Sequence, residues 1–409
     1  MEDQRTAITD AKSLGVPKLL TLGVQHAFTM FGATVLVPIL TGMNISVALF
    51  MAGIGTLLFH LITGGKMPAF LGSSFAFIAP IIAVISVHGL EYAQGGLVIA
   101  GLVYLVIGIL FKVGGVERIM SFFPPIVTGP IIMVIGLKLA PTAIDMASSD
   151  WLLAFIAFAI VTAVNIYGKG FIKVIPVIIG LIGAYIIAFV IGRVDLAAVG
   201  EADWFGIPQF TMAKFNLDAI FTIAPLALVT MVEHVGDVIA IGATVKKDFV
   251  KDPGLVRTII GDGLATSLSA LFGGPANTTY SENTGVLALT RVWDPIVMRI
   301  AAVFAIILGL SPKLGALISS IPSAIIGGIS IILFGMIASV GARTLVENQV
   351  DFKQTRNLII AAVILVLGLG GAILPISIGS FQVNIEGMAL AAFAGIILNA
   401  VLSNEIEEE

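Results

Sequence analysis

The chain of 409 residues contains no cysteine, few charged side chains and only four histidines. Without cysteine it has neither disulfides nor thiolate metal ligands. Charged residues make up 11% of the chain, whereas soluble domains carry roughly 25%. The apolar fraction, by contrast, is 58%. This composition excludes an ordinary soluble domain and predicts an integral membrane protein embedded in a lipid bilayer.

The net charge of −4 indicates no particular partner, and we expect no nucleic acid, cofactor or metal ion to bind. The first 18 residues are polar and lack the features of a cleavable signal peptide. The apolar run that follows them is therefore expected to remain as a helix.

Apolar stretches near the length of about 20 residues that a spanning helix needs recur along the whole chain. We predict an all-α polytopic membrane protein with fourteen transmembrane segments, seven in each half. The predicted segments are 18–41, 46–63, 70–88, 92–114, 121–140, 151–168, 171–192, 218–243, 256–273, 276–291, 296–311, 322–342, 355–373 and 384–403. Because seven is odd, the second half enters the membrane from the opposite side and forms an inverted repeat.

Segments 70–88 and 276–291 are apolar but interrupted by proline, glycine and hydroxyl residues. In the first, we expect a short extended piece up to Phe77, followed by a half-helix with Pro80 in its first turn. In the second, residues 278–280 are expected to be extended, with a half-helix beginning near Ser281. Unwound backbone at membrane depth is tolerated only where it is buried or lines a cavity.

Polar residues recur at one constant offset between the two halves. Gln25-His26 matches Glu233-His234, Gly53 and Gly55 match Gly261 and Gly263, and Ser73-Ser74 matches Ser281-Glu282. Such a repeat is typical of secondary transporters, whose substrate site lies near the membrane midplane where the halves meet. The glycines also have a simpler interpretation, which is close helix packing.

The basic residues test the predicted topology. If both termini are cytoplasmic, only Lys138, Arg193, Lys214 and Lys313 of the 21 Lys and Arg residues lie outside. This distribution agrees with the positive-inside rule. We therefore expect a multi-pass membrane protein with both termini on the cytoplasmic side.

Glu233 and Glu282 are the sharpest functional candidates, because a carboxylate at membrane depth costs at least about 2.5–3.5 kcal/mol. Two carboxylates that accept N–H bonds, near backbone N–H groups that donate to carbonyls, suit a flat ligand with alternating N–H and C=O groups. The alternative is that the two acids only form hydrogen bonds between neighbouring helices and stabilise their packing. No cluster of histidines at ligand spacing supports an intramembrane enzyme.

Asp237 follows Glu233 by one helical turn and lies on the same face. Two carboxylates that close in a low dielectric should not both be ionised, which suits proton transport. Alternatively, Asp237 only orients the interrupted segment. His26 and His234 either relay protons or are buried side chains bonded to one neighbouring hydroxyl.

Residues 282–291 match a family signature: an acid or amide, then Asn, any residue, Gly, four residues, Thr, and a basic or small residue. On this stretch, the Gln25-His26 pair and the stretches 30–38, 71–77 and 277–280, the chain resembles the nucleobase–ascorbate transporters, also called nucleobase:cation symporter-2. Within that family it is most similar to bacterial uracil permeases. The resemblance covers essentially the whole chain.

The resemblance implies a core domain of residues 18–114 and 218–311, and a gate domain of residues 121–192 and 322–403 through which a homodimer forms. It implies short antiparallel strands in the interrupted segments and import of uracil together with protons. The implied substrate-binding residues are Glu233, Glu282, Phe75, Ser281, Ala33 and Tyr280. We expect proton coupling by Glu233, Asp237, Glu282 and His234, and support of the site by Gln25, His26, Ser74, Asn283 and Thr279.

Two positions depart from the enteric uracil permeases, in which a histidine stands at Asp237 and a glycine at Ser281. An acid at position 237 is common in the purine branch and also occurs in some Gram-positive pyrimidine permeases. Xanthine or another purine is therefore the alternative substrate. Glu282 argues against a purine substrate, since purine transporters mostly have glutamine at this position. A more distant alternative is an anion transporter of the same fold, which would favour a cation rather than carboxylates in the site.

Overall fold

The computed structural model describes residues 7–378 and 381–402, and it is built mainly of helices. The helices are α1 (Val16–Thr41), α2 (Ile45–Ile62), α3 (Ile78–Val87), α4 (Leu90–Gly114), α5 (Val116–Met120), α6 (Pro125–Lys138), α7 (Ala140–Ser148), α8 (Trp151–Tyr167), α9 (Pro176–Val190), α10 (Ala197–Glu201), α11 (Leu217–Ile223), α12 (Ala227–Val245), α13 (Leu255–Leu271), α14 (Ser281–Thr290), α15 (Ile296–Gly309), α16 (Pro312–Ser319), α17 (Ser323–Glu347), α18 (Thr355–Leu369) and α19 (Gly387–Val401). The strands are β1 (Leu71–Ser73), β2 (Asn277–Thr279), β3 (Ile373–Ile378) and β4 (Phe381–Glu386).

Several helices have the length and composition of membrane spans. Within the described residues, six helical stretches are long and apolar enough to cross a bilayer, or seven if α15 and α16, bent by 81°, form one span. Five shorter helical stretches are also apolar. Large apolar side chains such as Phe155, Ile186 and Val190 are exposed on these helices, as expected for surfaces that face lipid. The chain is therefore a multi-pass membrane protein.

Both interrupted segments contain a short strand followed by a half-helix. In the first, β1 precedes a 3-10 turn at Phe75–Phe77 and then α3, with Pro80 in its first turn. In the second, β2 leads through Tyr280 into α14. The expected half-helices are thus present. The expectation of extended chain up to Phe77 was wrong, because the strand ends at Ser73 and the backbone then coils.

The two strands pair with each other in an antiparallel ribbon, with Gly72 opposite Thr278. At the outer edge of each strand, one threonine hydroxyl forms hydrogen bonds with the strand backbone. The Thr56 hydroxyl on α2 accepts from the Leu71 N–H, and its one proton is shared between the Ala52 carbonyl at 2.8 Å and the Leu71 carbonyl at 3.2 Å. The Thr266 hydroxyl on α13 donates to the Asn277 carbonyl and accepts from the Asn277 N–H. Backbone groups that water cannot reach are satisfied in this way.

The long helices pack in two groups. In the first group, α13 packs against α2 and α4, while α15 packs against α1 and α2. In the second group, α17 packs against α6, α7 and α8, while α18 packs against α6 and α19. Helices α1 and α9 form one of the contacts between the groups. There the Gly32 backbone lies so close to Val177 that a Cβ at position 32 would clash with it.

Two features outside the long helices were not predicted. Strands β3 and β4 form an antiparallel hairpin, so the last helix begins at Gly387 rather than at residue 384. The residues of β4 alternate between apolar and polar types, which favours a strand over a helix. The loop that joins the two halves of the sequence contains the short helix α10. The acidic tail at 404–409 lies outside the described residues.

Candidate functional site

The N-termini of the two half-helices point toward the paired strands. Because β1 and β2 are antiparallel and each precedes its own half-helix, α3 and α14 start at the ribbon and leave it in different directions. The N-cap residues of the two helices, Phe77 and Tyr280, make no side-chain bond to the first N–H groups. Uncapped N–H groups at a helix start donate readily to carbonyl oxygens or anions.

A cavity of about 240 Å³ lies beside the start of α14, between the two groups of helices. From the first group it is lined by Glu282, by Phe75 and by Thr29, Gly32 and Ala33 of α1. The Glu282 side chain is exposed to this space, and it is the one carboxylate among the described residues that line it. Glu282 lies in the first turn of α14, where the helix dipole favours a negative charge.

Glu233 lies on α12, and its side chain is also accessible. It is close enough to Glu282 and to Asp262 for its negative charge to be repelled by each of theirs. Asp237, one turn further along α12, is buried with 9% of its surface exposed. The second half of the chain therefore places four acids on α12, α13 and α14.

Asp262 on α13 is a site residue that the sequence analysis missed. It is fully buried, and its Oδ2 lies 3.3 Å from Nδ1 of the equally buried His234. The same His234 nitrogen lies 3.1 Å from the Thr279 hydroxyl of β2. Within the described residues, no aligned donor bonds the Asp262 carboxylate. A buried carboxylate without donors is costly, and in a membrane protein it usually has a function.

The signal for Asp262 was present in the sequence. It stands between Gly261 and Gly263, which were interpreted as packing residues, in the predicted segment 256–273, whose one other charged residue, Arg257, lies near its start. The cost of a carboxylate at membrane depth, applied to Glu233 and Glu282, applies equally to this position. The glycines do pack closely, since a Cβ at Gly263 would clash with Tyr104 and the Gly101 carbonyl.

His26 joins α1 to the start of α14. The Asn283 side-chain amide donates to the His26 carbonyl at 3.1 Å and lies 3.2 Å from its Nδ1. Both side chains are buried. Gln25 is half-buried, and its carbonyl accepts a bond from Thr29. This arrangement fixes the position of the half-helix that carries Glu282.

The remaining predicted site residues lie around the ribbon. Ser74 is buried, and its N–H donates to the Ala276 carbonyl. Tyr280 is buried, its hydroxyl donates to the Ser73 carbonyl at 2.9 Å, and its ring packs over Gly72. The structure thus places the Tyr280 side chain inside the ribbon packing rather than in the cavity wall. Ser281 begins α14, and its side chain lies outside the described part of the chain.

A larger crevice of about 340 Å³ lies between α1, α9 and α16. Its lining is apolar apart from Tyr185, so it offers few groups for recognising a polar ligand. The cavity beside Glu282 is smaller but combines a carboxylate, an aromatic ring and helix N-termini. We therefore assign it as the candidate functional site.

A membrane-embedded cavity at broken helices, between two packed groups of spans, defines the class of the protein as a membrane transporter. A family model described as "Permease family" matches residues 17–377. The chain belongs to the nucleobase–ascorbate transporter family.

Curated relatives agree with this membership. The chain is 46% identical to the uracil permease of Bacillus caldolyticus, over 97% of this chain and 94% of the relative. It is 46% identical to the uracil permease of Bacillus subtilis (strain 168), over 95% and 94%, respectively. It is 40% identical to the uracil permease of Escherichia coli (strain K12), over 97% of this chain and 94% of the relative.

Solved structures share the fold. The transmembrane domain of the cyanobacterial bicarbonate transporter BicA aligns with a TM-score of 0.62 at 18% identity, over 97% of this chain and 100% of that one. The structure of SLC26A9 aligns with a TM-score of 0.69 at 12% identity, over 96% of this chain and 66% of that one. At these identities the likeness concerns the fold alone.

Proposed function

We propose that the protein is a symporter that imports uracil together with protons across the bacterial cytoplasmic membrane. The observation that carries the proposal is the cavity in which an acid, Glu282, stands at the uncapped start of a half-helix beside the strand ribbon. Uracil presents N–H donors and carbonyl acceptors along one edge of a flat ring. Carboxylates accept from its N–H groups, and backbone N–H groups donate to its carbonyls. The names of the curated relatives support the same substrate.

In this proposal, the fourteen segments form two inverted repeats, with the ribbon at the membrane midplane. Residues 18–114 and 218–311 form the core domain, and residues 121–192 and 322–403 form the gate domain. Support comes from the two groups in which the helices pack. The positive-inside rule supports cytoplasmic termini. A homodimer through the gate domain remains an expectation from the family resemblance.

We assign uracil binding to Glu233, Glu282, Ala33 and the backbone at Phe75 and Ser281. In the outward-open state, a proton binds to the group of Glu233, Asp237 and Glu282 and reduces the repulsion between these carboxylates. Uracil then binds at the start of α14, between the half-helices. The core domain moves against the gate domain, uracil leaves, and the acids release the proton to the less acidic cytoplasm.

We add Asp262 to this group because it adjoins both His234 and Glu233. The contact between His234 and Thr279 links the acids to β2, the strand that leads into α14. A change in protonation at Asp262 or His234 can therefore alter the position of Glu282. In this role His234 connects proton binding to the geometry of the substrate site.

The second candidate substrate is xanthine or another purine, and Asp237 is the residue that favours it. Thermal stabilisation of the purified protein by uracil, 5-fluorouracil, xanthine, hypoxanthine and adenine distinguishes the two, because a ligand of the folded state raises the melting temperature. Stabilisation by uracil and 5-fluorouracil alone is expected. Stabilisation by xanthine instead would overturn the assignment of a pyrimidine site.

Transport by reconstituted protein tests the coupling. An inward pH gradient is expected to drive uracil accumulation, and uracil is expected to carry protons into the vesicle lumen. Anion movement without a nucleobase would favour the anion-transporter alternative, which the folds of BicA and SLC26A9 keep open. Uracil accumulation that is independent of the pH gradient would contradict proton symport.

A further inference from the structure

The wall of the cavity opposite Glu282 belongs to the second group of helices, and it carries two polar side chains. Most residues on this wall are apolar, among them Val161, Leu333 and Met336. Asn165 and Lys173 are the exceptions. Neither was singled out by the sequence analysis, and the transport cycle described above does not use them.

Asn165 lies near the end of α8 and is half-buried. Its side-chain nitrogen donates to the Val161 carbonyl at 3.0 Å, one turn earlier in the same helix. That bond uses one N–H of the amide and fixes its orientation, while the amide oxygen remains an acceptor. An amide that lines a cavity inside an apolar helix provides a site for polar recognition.

Lys173 lies in the 3-10 turn Gly170–Val174, between α8 and α9. This turn packs against α14, the half-helix that carries Glu282. A Cβ placed on Gly285 of α14 would lie 3.5 Å from Val174, so the two elements are in close contact. Lys173 itself is exposed, and no carboxylate of the described residues lies within ion-pair distance of it. Its ammonium group is therefore available as a hydrogen-bond donor.

We propose that Asn165 and Lys173 form a second substrate subsite on the gate side, which binds the nucleobase as it leaves Glu282 toward the membrane face that carries Lys173. Lys173 donates to a ring carbonyl, and the Asn165 oxygen accepts from a ring N–H. An ionised carboxylate only accepts bonds, and the Thr29 hydroxyl on the same wall already donates to the Gln25 carbonyl. After the acids have released their proton, Lys173 therefore supplies a donor that the side chains around Glu282 lack. The inference rests on the proposed function, because it requires a nucleobase to pass through this cavity.

The test compares KM for uracil from the two faces of the membrane, in proteoliposomes sorted by orientation. Lys173→Met is expected to raise KM from the Lys173 face about 3- to 10-fold, the factor that corresponds to one hydrogen bond. From the opposite face, KM should change less than about twofold, since uracil first meets the carboxylates there. Asn165→Leu is expected to act in the same direction, and Lys173→Arg should retain the wild-type KM.

Lys169→Met is the matched control, because it removes an equal charge from the same loop at a residue outside the cavity lining. It should leave both KM values unchanged. Equal changes from both faces in Lys173→Met, or an equal effect of Lys169→Met, would overturn the subsite. If the wild-type protein transports no nucleobase, the proposed function fails and this inference fails with it. Wild-type transport with unchanged KM values in both variants overturns the inference alone.

Discussion

The two strand-containing regions share a backbone plan but differ in chemistry. Around β1 and around β2, a buried threonine bonds the outer edge of the strand, and a half-helix without a side-chain cap follows. Yet where the first half has Gln25, Ile54 and Ser74, the second half has Glu233, Asp262 and Glu282 at the corresponding positions. The two copies share a backbone arrangement, and at these three positions the acids lie in the second copy.

This difference separates the scaffold from the function. Changes to the shared plan should affect stability to a similar extent in both halves. At the three positions where the halves differ, substitutions in the second half should affect binding or transport more than substitutions in the first half. The following experiments challenge that separation.

The largest effect is expected from removing the acids to which we assign uracil binding. Glu282→Ala and Glu233→Ala should each weaken uracil binding by about 10- to 150-fold, because a hydrogen bond to a charged group contributes about 1.5–3 kcal/mol. Isothermal titration of the purified protein measures this change. The matched variants in the first half, Ser74→Ala and Gln25→Ala, should weaken binding by less than about threefold. Equal losses in the two halves would mean that the first half also provides ligands.

Asp262→Asn should separate binding from transport. We expect uracil affinity within about threefold of wild type, because the direct ligands remain. Uptake driven by a pH gradient should fall by at least about tenfold, because an amide cannot bind the proton that we assign to the group of acids that includes Asp262. Asp218→Asn, an acid-to-amide change at the ion pair with His88, serves as the control and should leave uptake unchanged. Wild-type uptake in Asp262→Asn would remove this residue from the proton pathway.

A smaller loss is expected for Asp237→Asn. The residue is buried one turn beyond Glu233, and asparagine preserves its size and part of its hydrogen bonding. Proton-coupled uptake should fall by about 3- to 10-fold, as measured by initial rates at several external pH values. Uptake that keeps its rate and its pH dependence would show that Asp237 has an orienting role only.

The smallest effects on function are expected from the shared threonines. Thr56→Val and Thr266→Val each remove two backbone contacts from the ribbon, and each should destabilise the protein by about 1–3 kcal/mol. The melting temperatures of the two variants should decrease by similar amounts. Uracil affinity should decline more in Thr266→Val, because β2 leads directly into Glu282. Very different melting temperatures would contradict an equivalent scaffold.

Much of the framework was predictable because it depends on local patterns. Proline, glycine and hydroxyl residues interrupt two apolar runs, and this was enough to predict the two half-helices and the extended chain at 278–280. The constant offset of polar pairs led to Glu233 and Glu282. Such features appear in a single stretch of sequence or in a comparison of two stretches.

Other features depend on contacts that a linear pattern does not contain. Whether Asp262 approaches His234 depends on how α13 packs against the ribbon, and its flanking glycines gave a sufficient packing explanation. Tyr280 was expected at the substrate site from the family resemblance, but its ring packs over Gly72 and its hydroxyl bonds to the Ser73 carbonyl. The hairpin of β3 and β4 was overlooked because hydropathy averaged over a long window conceals a period of two.

The pairing of β1 with β2 has a consequence for biosynthesis. The ribosome finishes β1 roughly 200 residues before β2, which at about 5–20 residues per second is a delay of about 10–40 s. During that delay, one edge of β1 has no partner strand, although lipid cannot satisfy its backbone groups. We expect the nascent first half to remain shielded by the insertion machinery, and the candidate site to form only after α14 has been inserted.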